Sequence, residues 1–226
     1  MNQPYGACEG GTLGSLACGR SKRLLPFLAA GALALTSLGA APLPALAFGS
    51  TVVCGGRVEA AVFAPWGDGA TYFLVPNGDF EDGARDWALS GGASVVWGNE
   101  PFKVDGAADS RSLRLPPGSS AESRTICVSQ GEDAIRLFVN NRHVRGAILH
   151  VEAIARNPTT GSYGYAAFDV NGDVPSKSWA PTMRLSIPRM FDGSGVEELT
   201  LRFTLRGTPA TWGIDDVYVD PYKSWR

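Results

Sequence analysis

The stretch Glu198-Leu-Thr-Leu-Arg-Phe-Thr-Leu-Arg206 decides the fold class. In an extended chain successive side chains alternate between two faces, so Leu199, Leu201, Phe203 and Leu205 share one face. Thr200, Arg202, Thr204 and Arg206 share the other. Such a strand lays one face on a core and the other in water. Working outward, the same alternation sets Ile135, Leu137 and Val139 against Arg136 and Phe138, and Leu149, Val151 and Ala153 against His150 and Glu152. It also sets Met183, Leu185 and Ile187 against Arg184 and Ser186. Shorter strands are expected at Val58–Ala64, Tyr72–Val75, Ala93–Trp97, Ser112–Leu115, Ala121–Val128, Tyr163–Val170 and Trp212–Val219. Turn signals punctuate them, among them Pro76-Asn77-Gly78, Pro116-Pro117-Gly118, Asn171-Gly172 and Asp192-Gly193. No window holds a helical period over three turns. The expectation is an all-β fold, a two-sheet antiparallel β-sandwich of the jelly-roll kind.

The chain has 226 residues, with 28 Gly and 15 Pro, a composition suited to many turns and short strands. Its formal net charge is −2. A weakly acidic chain lacks the basic footprint that binds phosphate backbones, which argues against a nucleic-acid partner. Near the start, Arg20-Ser-Lys-Arg23 precedes an apolar run from Leu24 to Leu38, and Ala45-Leu46-Ala47 offers the small residues a signal peptidase requires. Pro42 and Pro44 interrupt the run before it reaches membrane-spanning length. Residues 1–47 therefore read as an export signal. The remainder is expected to be extracellular, monomeric and free of the membrane once the signal is removed.

Past the leader only Cys54 and Cys127 remain, and two cysteines in an oxidising compartment have one pairing. That bridge closes a loop of about 74 residues and contributes about 4 kcal/mol in the chain-entropy model. The expected organisation is signal (1–47), an N-terminal arm and first strand tied by the disulfide (48–71), and the sandwich (72–226).

Two short patterns mark the ends of the sandwich. The first is Asn77-Gly78-Asp79-Phe80-Glu81 with Trp87, and the second is Trp212-Gly213-Ile214-Asp215-Asp216-Val217. Ser110-Arg111-Ser112-Leu113-Arg114-Leu115 lies between them. In this order they resemble the carbohydrate-binding modules with the galactose-binding-like jelly-roll fold, above all those attached to bacterial xylanases and cellulases. The resemblance implies that the first and last strands are neighbours, with a structural calcium where they meet. Glu81 with Asp215 or Asp216 are the side-chain ligands it implies, and Asp79 is a further candidate. Calcium takes six to eight oxygen ligands, and crowded acids repel unless a cation joins them. Strand alternation predicts that Asp215 and Asp216 face opposite ways. The resemblance also places Trp87 and Trp212 in the core and leaves Trp97, Tyr163, Tyr165 and Trp179 as candidate platforms for sugar rings. Aromatic faces suit the apolar face of a pyranose. The chain departs from the family in having no catalytic domain and in the extra segment Ser50–Ala70, which carries Cys54 and Trp66.

Other chemistry finds little support. No G-x-S-x-G marks a nucleophile, and His150 is expected to face solvent. Glu197-Glu198 and Asp215-Asp216 are sequence neighbours that splay apart on strands, so no glycosidase pair can be nominated. Asp169-Val-Asn171-Gly-Asp173 imitates a calcium loop but lacks the later Gly and Glu, and Asn171-Gly172 reads as a type I′ turn. The function expected is a secreted, non-catalytic module binding a glycan or cell-envelope polysaccharide. The alternatives are a structural or adhesive extracellular sandwich without sugar specificity, and a polysaccharide hydrolase or lyase.

Overall fold

The computed structural model describes residues 54–129, 131–172, 178–188 and 195–220. The expected export signal (1–47), the expected arm up to residue 53 and the turn signal Asp192-Gly193 lie outside the described residues. Two antiparallel sheets form the body. One has eight strands: β1 (Glu59–Ala60), β2 (Tyr72–Leu74), β4 (Ser94–Trp97), β5 (Arg111–Leu115), β8 (Ala134–Asn140), β11 (Ala180–Pro181), β12 (Leu185–Ser186) and β14 (Trp212–Asp220). The other has six: β3 (Trp87–Ser90), β6 (Ser120–Ser123), β7 (Ile126–Ser129), β9 (Ala147–Arg156), β10 (Tyr163–Asn171) and β13 (Val196–Gly207).

The alternating stretch Glu198–Arg206 lies in β13, the centre of the six-stranded sheet. It pairs with β9 along one side and with β6 and β7 along the other. Leu199, Leu201 and Phe203 are fully buried, and they meet Leu113, Ile135, Leu137, Trp212 and Ile214 of the eight-stranded sheet in one core. Trp87 and Trp212 are buried there, and the Trp87 indole N–H donates to the Asn77 carbonyl at 3.0 Å.

Four expectations are corrected. Ala121–Val128 is two strands, broken at Arg124-Thr125 where β13 changes partner from β6 to β7. Val58–Ala64 supplies only β1, because the chain turns through a short 3-10 helix at Ala64–Trp66 led by Pro65. Met183–Ile187 supplies only Leu185–Ser186, and Met183 stands in solvent. Asn171-Gly172 is not a type I′ turn: Asn171 still pairs with Ile148 inside β10, and the Gly172 N–H donates to the Ala147 carbonyl at 2.8 Å. A side chain at Gly172 would meet the Asn141 amide and two carbonyls, which explains the glycine without a turn.

The segment from Cys54 to Ala70 covers part of the outer face of the eight-stranded sheet. Phe63 is fully buried against Tyr72, Phe138 and Tyr218, and Trp66 packs edge-on to Phe102 and Phe138. The Arg136 guanidinium lies over the Phe63 ring and pairs with Asp68 at 2.8 Å. A disulfide joins Cys54 to Cys127 of β7, Cα to Cα 5.3 Å.

Candidate functional site

The two end motifs meet. The Val75 N–H donates to the Val217 carbonyl and the Val217 N–H to the Gly78 carbonyl, both at 3.0 Å. Gly78 is required here, because a Cβ would lie 2.7 Å from the Val217 carbonyl oxygen. On this flank β14 changes partner: Trp212–Ile214 pair with β5, and Tyr218 and Val219 pair with β2. The register against β8 shifts between Asp215 and Tyr218, and Asp216 has φ +50°. This bulge overrides strand alternation. Contrary to the sequence expectation, Asp215 and Asp216 are both buried, and both lie beside Glu100.

The loop from Gly98 to Ser110 brings the other acids. Glu100, Asp109 and Asp216 place carboxylate oxygens within 4.8 Å of one another, and Asp79, Asp105 and Asp109 form a second trio. Asp109 belongs to both, so the two trios are one acid-lined space. Of the four residues that the sequence put forward as metal ligands, Asp216 and Asp79 fall in these trios. Asp215 instead accepts the backbone N–H groups of Glu100 and Asp216, each at 3.0 Å. Glu81 accepts the N–H groups of Ser110 and Arg111 and the Ser110 hydroxyl, at 2.6 to 2.9 Å. Burial works against the Glu81 charge, but these donors outweigh it and hold the carboxyl below its ordinary value.

The trios behave differently. Burial, then the Asp105 and Asp79 charges, push Asp109 up to about 6. Burial and the adjacent Asp215 push Asp216 far above the carboxylate range. Both carboxylate oxygens of Asp216 and one of Asp109 are buried without a hydrogen-bond partner. No Lys or Arg among the described residues pairs with Glu100, Asp109 or Asp216. A hard divalent cation with oxygen ligands fits this donor set, since it satisfies those oxygens and removes the repulsion together. Sequence reasoning missed Glu100, Asp105 and Asp109. They sit in a loop with no periodicity, and the available signal was three acids against the single Lys103 within eleven residues.

The candidate platforms separate. Tyr163 and Tyr165 stand on the outer face of β10, 68% and 59% exposed. Beside them a polar row crosses four strands. The Tyr165 hydroxyl donates to Glu152 at 2.7 Å, Arg202 lies 3.5 Å from Glu152, and Arg202 pairs with Glu122 at 2.6 Å. Arg156 pairs with Glu198 at 2.6 Å on the same face. His150 is buried rather than solvent-facing, at 4% exposure, because Asp169 lies 2.6 Å from its Nδ1 and Glu152 3.7 Å from its Nε2. Its side-chain partners are carboxylates, and Thr204 of β13 stands opposite it in the register.

Trp97 and Trp179 belong to the eight-stranded sheet. Trp97 shares the strand face of Val95 and Leu113 but lies beyond the end of the core, 76% exposed, with the Arg111 guanidinium over its ring at 4.8 Å. Trp179 is half-buried, its six-membered ring resting where a Gly213 side chain would stand, 2.7 Å from that position. A cleft of about 190 Å³ on this sheet is lined by both tryptophans and by Asn99, Arg114, Asn140 and Arg142, among others.

No family model matches the chain, and no curated protein matches it in sequence. Solved structures do resemble it. A family 61 carbohydrate-binding module, solved in complex with β-1,4-galactotriose, shares 17% identity over 65% of this chain and 96% of its own, with a TM-score of 0.40. The C-terminal family 22 module of Clostridium thermocellum Xyn10B shares 13% over 66% of this chain and 92% of its own, TM-score 0.40. A family 28 module specific for non-crystalline cellulose shares 16% over 62% and 90%, TM-score 0.41. The chain is a two-sheet β-sandwich similar to those of carbohydrate-binding modules.

Proposed function

We propose that this protein is a secreted, non-catalytic module that binds a neutral glycan across the outer face of β10, β9, β13 and β6. The observation that carries the reading is the exposed pair Tyr163 and Tyr165, two apart on one strand face, beside the row Glu152, Arg202 and Glu122. Two aromatic platforms about 7 Å apart offer surface to successive sugar rings, and the row offers donors and acceptors to their hydroxyls. The one guanidinium in the row lies between two carboxylates, Glu122 and Glu152, so its charge is taken up within the row. A structural calcium held by Asp216, Asp109 and Glu100 is part of this reading. It would fix the loop 98–110 against the β14 bulge, with the Asp79 and Asp105 carboxylates next to it.

A hydrolase is less well supported, because Glu122 and Glu152 are engaged by the same guanidinium, and Glu100, Asp109 and Asp216 are buried rather than facing each other across a cleft. A module without sugar specificity predicts buried platforms, whereas Tyr163 and Tyr165 stand in solvent. Affinity electrophoresis in gels containing xylan, galactan or soluble β-glucan tests the proposal. Retardation in at least one gel, abolished by Tyr163→Ala with Tyr165→Ala, is expected. Equal mobility in every gel, or retardation that survives the double substitution, overturns it.

A further inference from the structure

The cleft on the eight-stranded sheet has a different chemistry from the tyrosine face. Its floor is the outer side of β5, β14 and β8, where Ser112, Arg114, Gly213 and Asn140 follow one another across the strands. Arg142 follows β8, and Asn99 enters from the loop after β4. No Asp or Glu lines it. Neither Arg114 nor Arg142 has a carboxylate partner among the described residues, and the side-chain N–H group of Asn99, Nδ2, is buried without an acceptor. Two exposed guanidinium groups and one buried amide donor thus border a space that no carboxylate of the described residues lines. A buried donor without an acceptor is costly, and a guanidinium offers paired N–H groups in the geometry a carboxylate accepts.

One wall is aromatic. Trp179 brings the Cη2 end of its ring to where Gly213 leaves room, and it packs against the aromatic cluster of Phe63, Tyr72, Phe138 and Tyr218. At about 190 Å³ the cleft is smaller than pockets for drug-sized ligands, roughly 300 Å³ upward, and suits one sugar-sized unit.

We propose that this cleft is a second carbohydrate site, selective for a carboxylate-bearing pyranose, a uronate unit. The carboxylate sits between Arg114 and Arg142, an oxygen of the unit accepts from Asn99 Nδ2, and the ring lies on Trp179. The site is independent of the tyrosine face and does not require that face to bind anything.

Titration calorimetry of the disulfide-intact protein with polygalacturonate, alginate, free galacturonate and carboxyl-reduced polygalacturonate tests it. Binding to at least one polyuronate is expected, with at least tenfold weaker affinity for the reduced polymer. Binding to free galacturonate as well identifies a site for a single unit, and binding to polymer alone identifies one that reads the chain; both support the assignment. Arg114→Ala with Arg142→Ala is expected to weaken polyuronate binding at least tenfold. Arg85→Ala with Arg124→Ala removes the same charge elsewhere and is expected to leave it unchanged. Any retardation by neutral glycans survives the Arg114 and Arg142 substitutions, which separates this site from the tyrosine face. The inference fails if neither polyuronate nor free galacturonate binds, if the reduced polymer binds equally well, or if both arginine pairs weaken binding alike.

Discussion

On the six-stranded sheet Arg202 and Arg156 each hold a glutamate at 2.6 Å, and two tyrosines stand beside them in solvent. On the eight-stranded sheet Arg114 and Arg142 line a cleft without an acid, beside a tryptophan pressed against the sheet. Both faces combine aromatic surface with guanidinium groups, so counting residue types would rank them as equals. The difference lies in the partners. A paired arginine is held in place and acts as a directional donor, while its charge is already cancelled. An unpaired one keeps its charge for a ligand and draws it from a distance that salt controls.

The largest expected effect tests whether the faces are separate. Tyr163→Ala with Tyr165→Ala should weaken neutral-glycan binding roughly a hundredfold, as the loss of two stacking anchors implies. Polyuronate affinity in calorimetry should not change. Loss of both activities would merge the faces into one site.

Next comes the acid-lined bulge, which belongs to the eight-stranded side alone. Removing calcium with a chelator should lower the melting temperature by several degrees. Without the ion, Asp109 titrates near 6 rather than 3.8, so the folded chain holds more protons than the unfolded chain from about pH 4 upward. Stability measured in chelator should therefore fall as pH rises from 4 through 6, and the raised Asp216 extends the fall further. Bound calcium keeps the carboxylates ionised in the folded state and should reverse the slope. Asp216→Asn should flatten both curves. Chelation should also weaken polyuronate binding, because Asn99 adjoins Glu100, and should spare the tyrosine face.

A smaller effect is expected from Gly213→Ala, whose methyl group would meet the Trp179 ring 2.7 Å away. The indole must shift, and polyuronate affinity should drop about tenfold, which is about 1.4 kcal/mol. Smallest is the response to salt. Raising sodium chloride from about 0.05 M to about 0.5 M should weaken polyuronate binding several-fold and leave neutral-glycan retardation unchanged.

The sandwich was readable because its long strands carry their pattern locally. Every second residue from Leu199 to Leu205 states which way β13 faces, and the end motifs meet as the resemblance implied. Legibility failed where a residue's role depends on a neighbour distant in sequence. Nothing local to Asn171-Gly172 reports that Asn141 and Ala147 crowd that glycine. Asp215 and Asp216 obey alternation until β14 exchanges β5 for β2, and the resulting bulge buries both. Glu100 and Asp109 are ordinary loop acids until that bulge stands opposite them. Spacing alone put Tyr163 and Tyr165 on one strand face, but only the sheet assignments place the tyrosines and the tryptophans on different sheets.

Cys127 lies in the six-stranded layer, while Cys54 leads within a few residues into the edge strand of the eight-stranded one. The bond between them is a covalent rivet across the layers at that border. Neither layer can slide there relative to the other. At that border the start of the eight-stranded layer is therefore held to the other layer by a covalent bond as well as by packing.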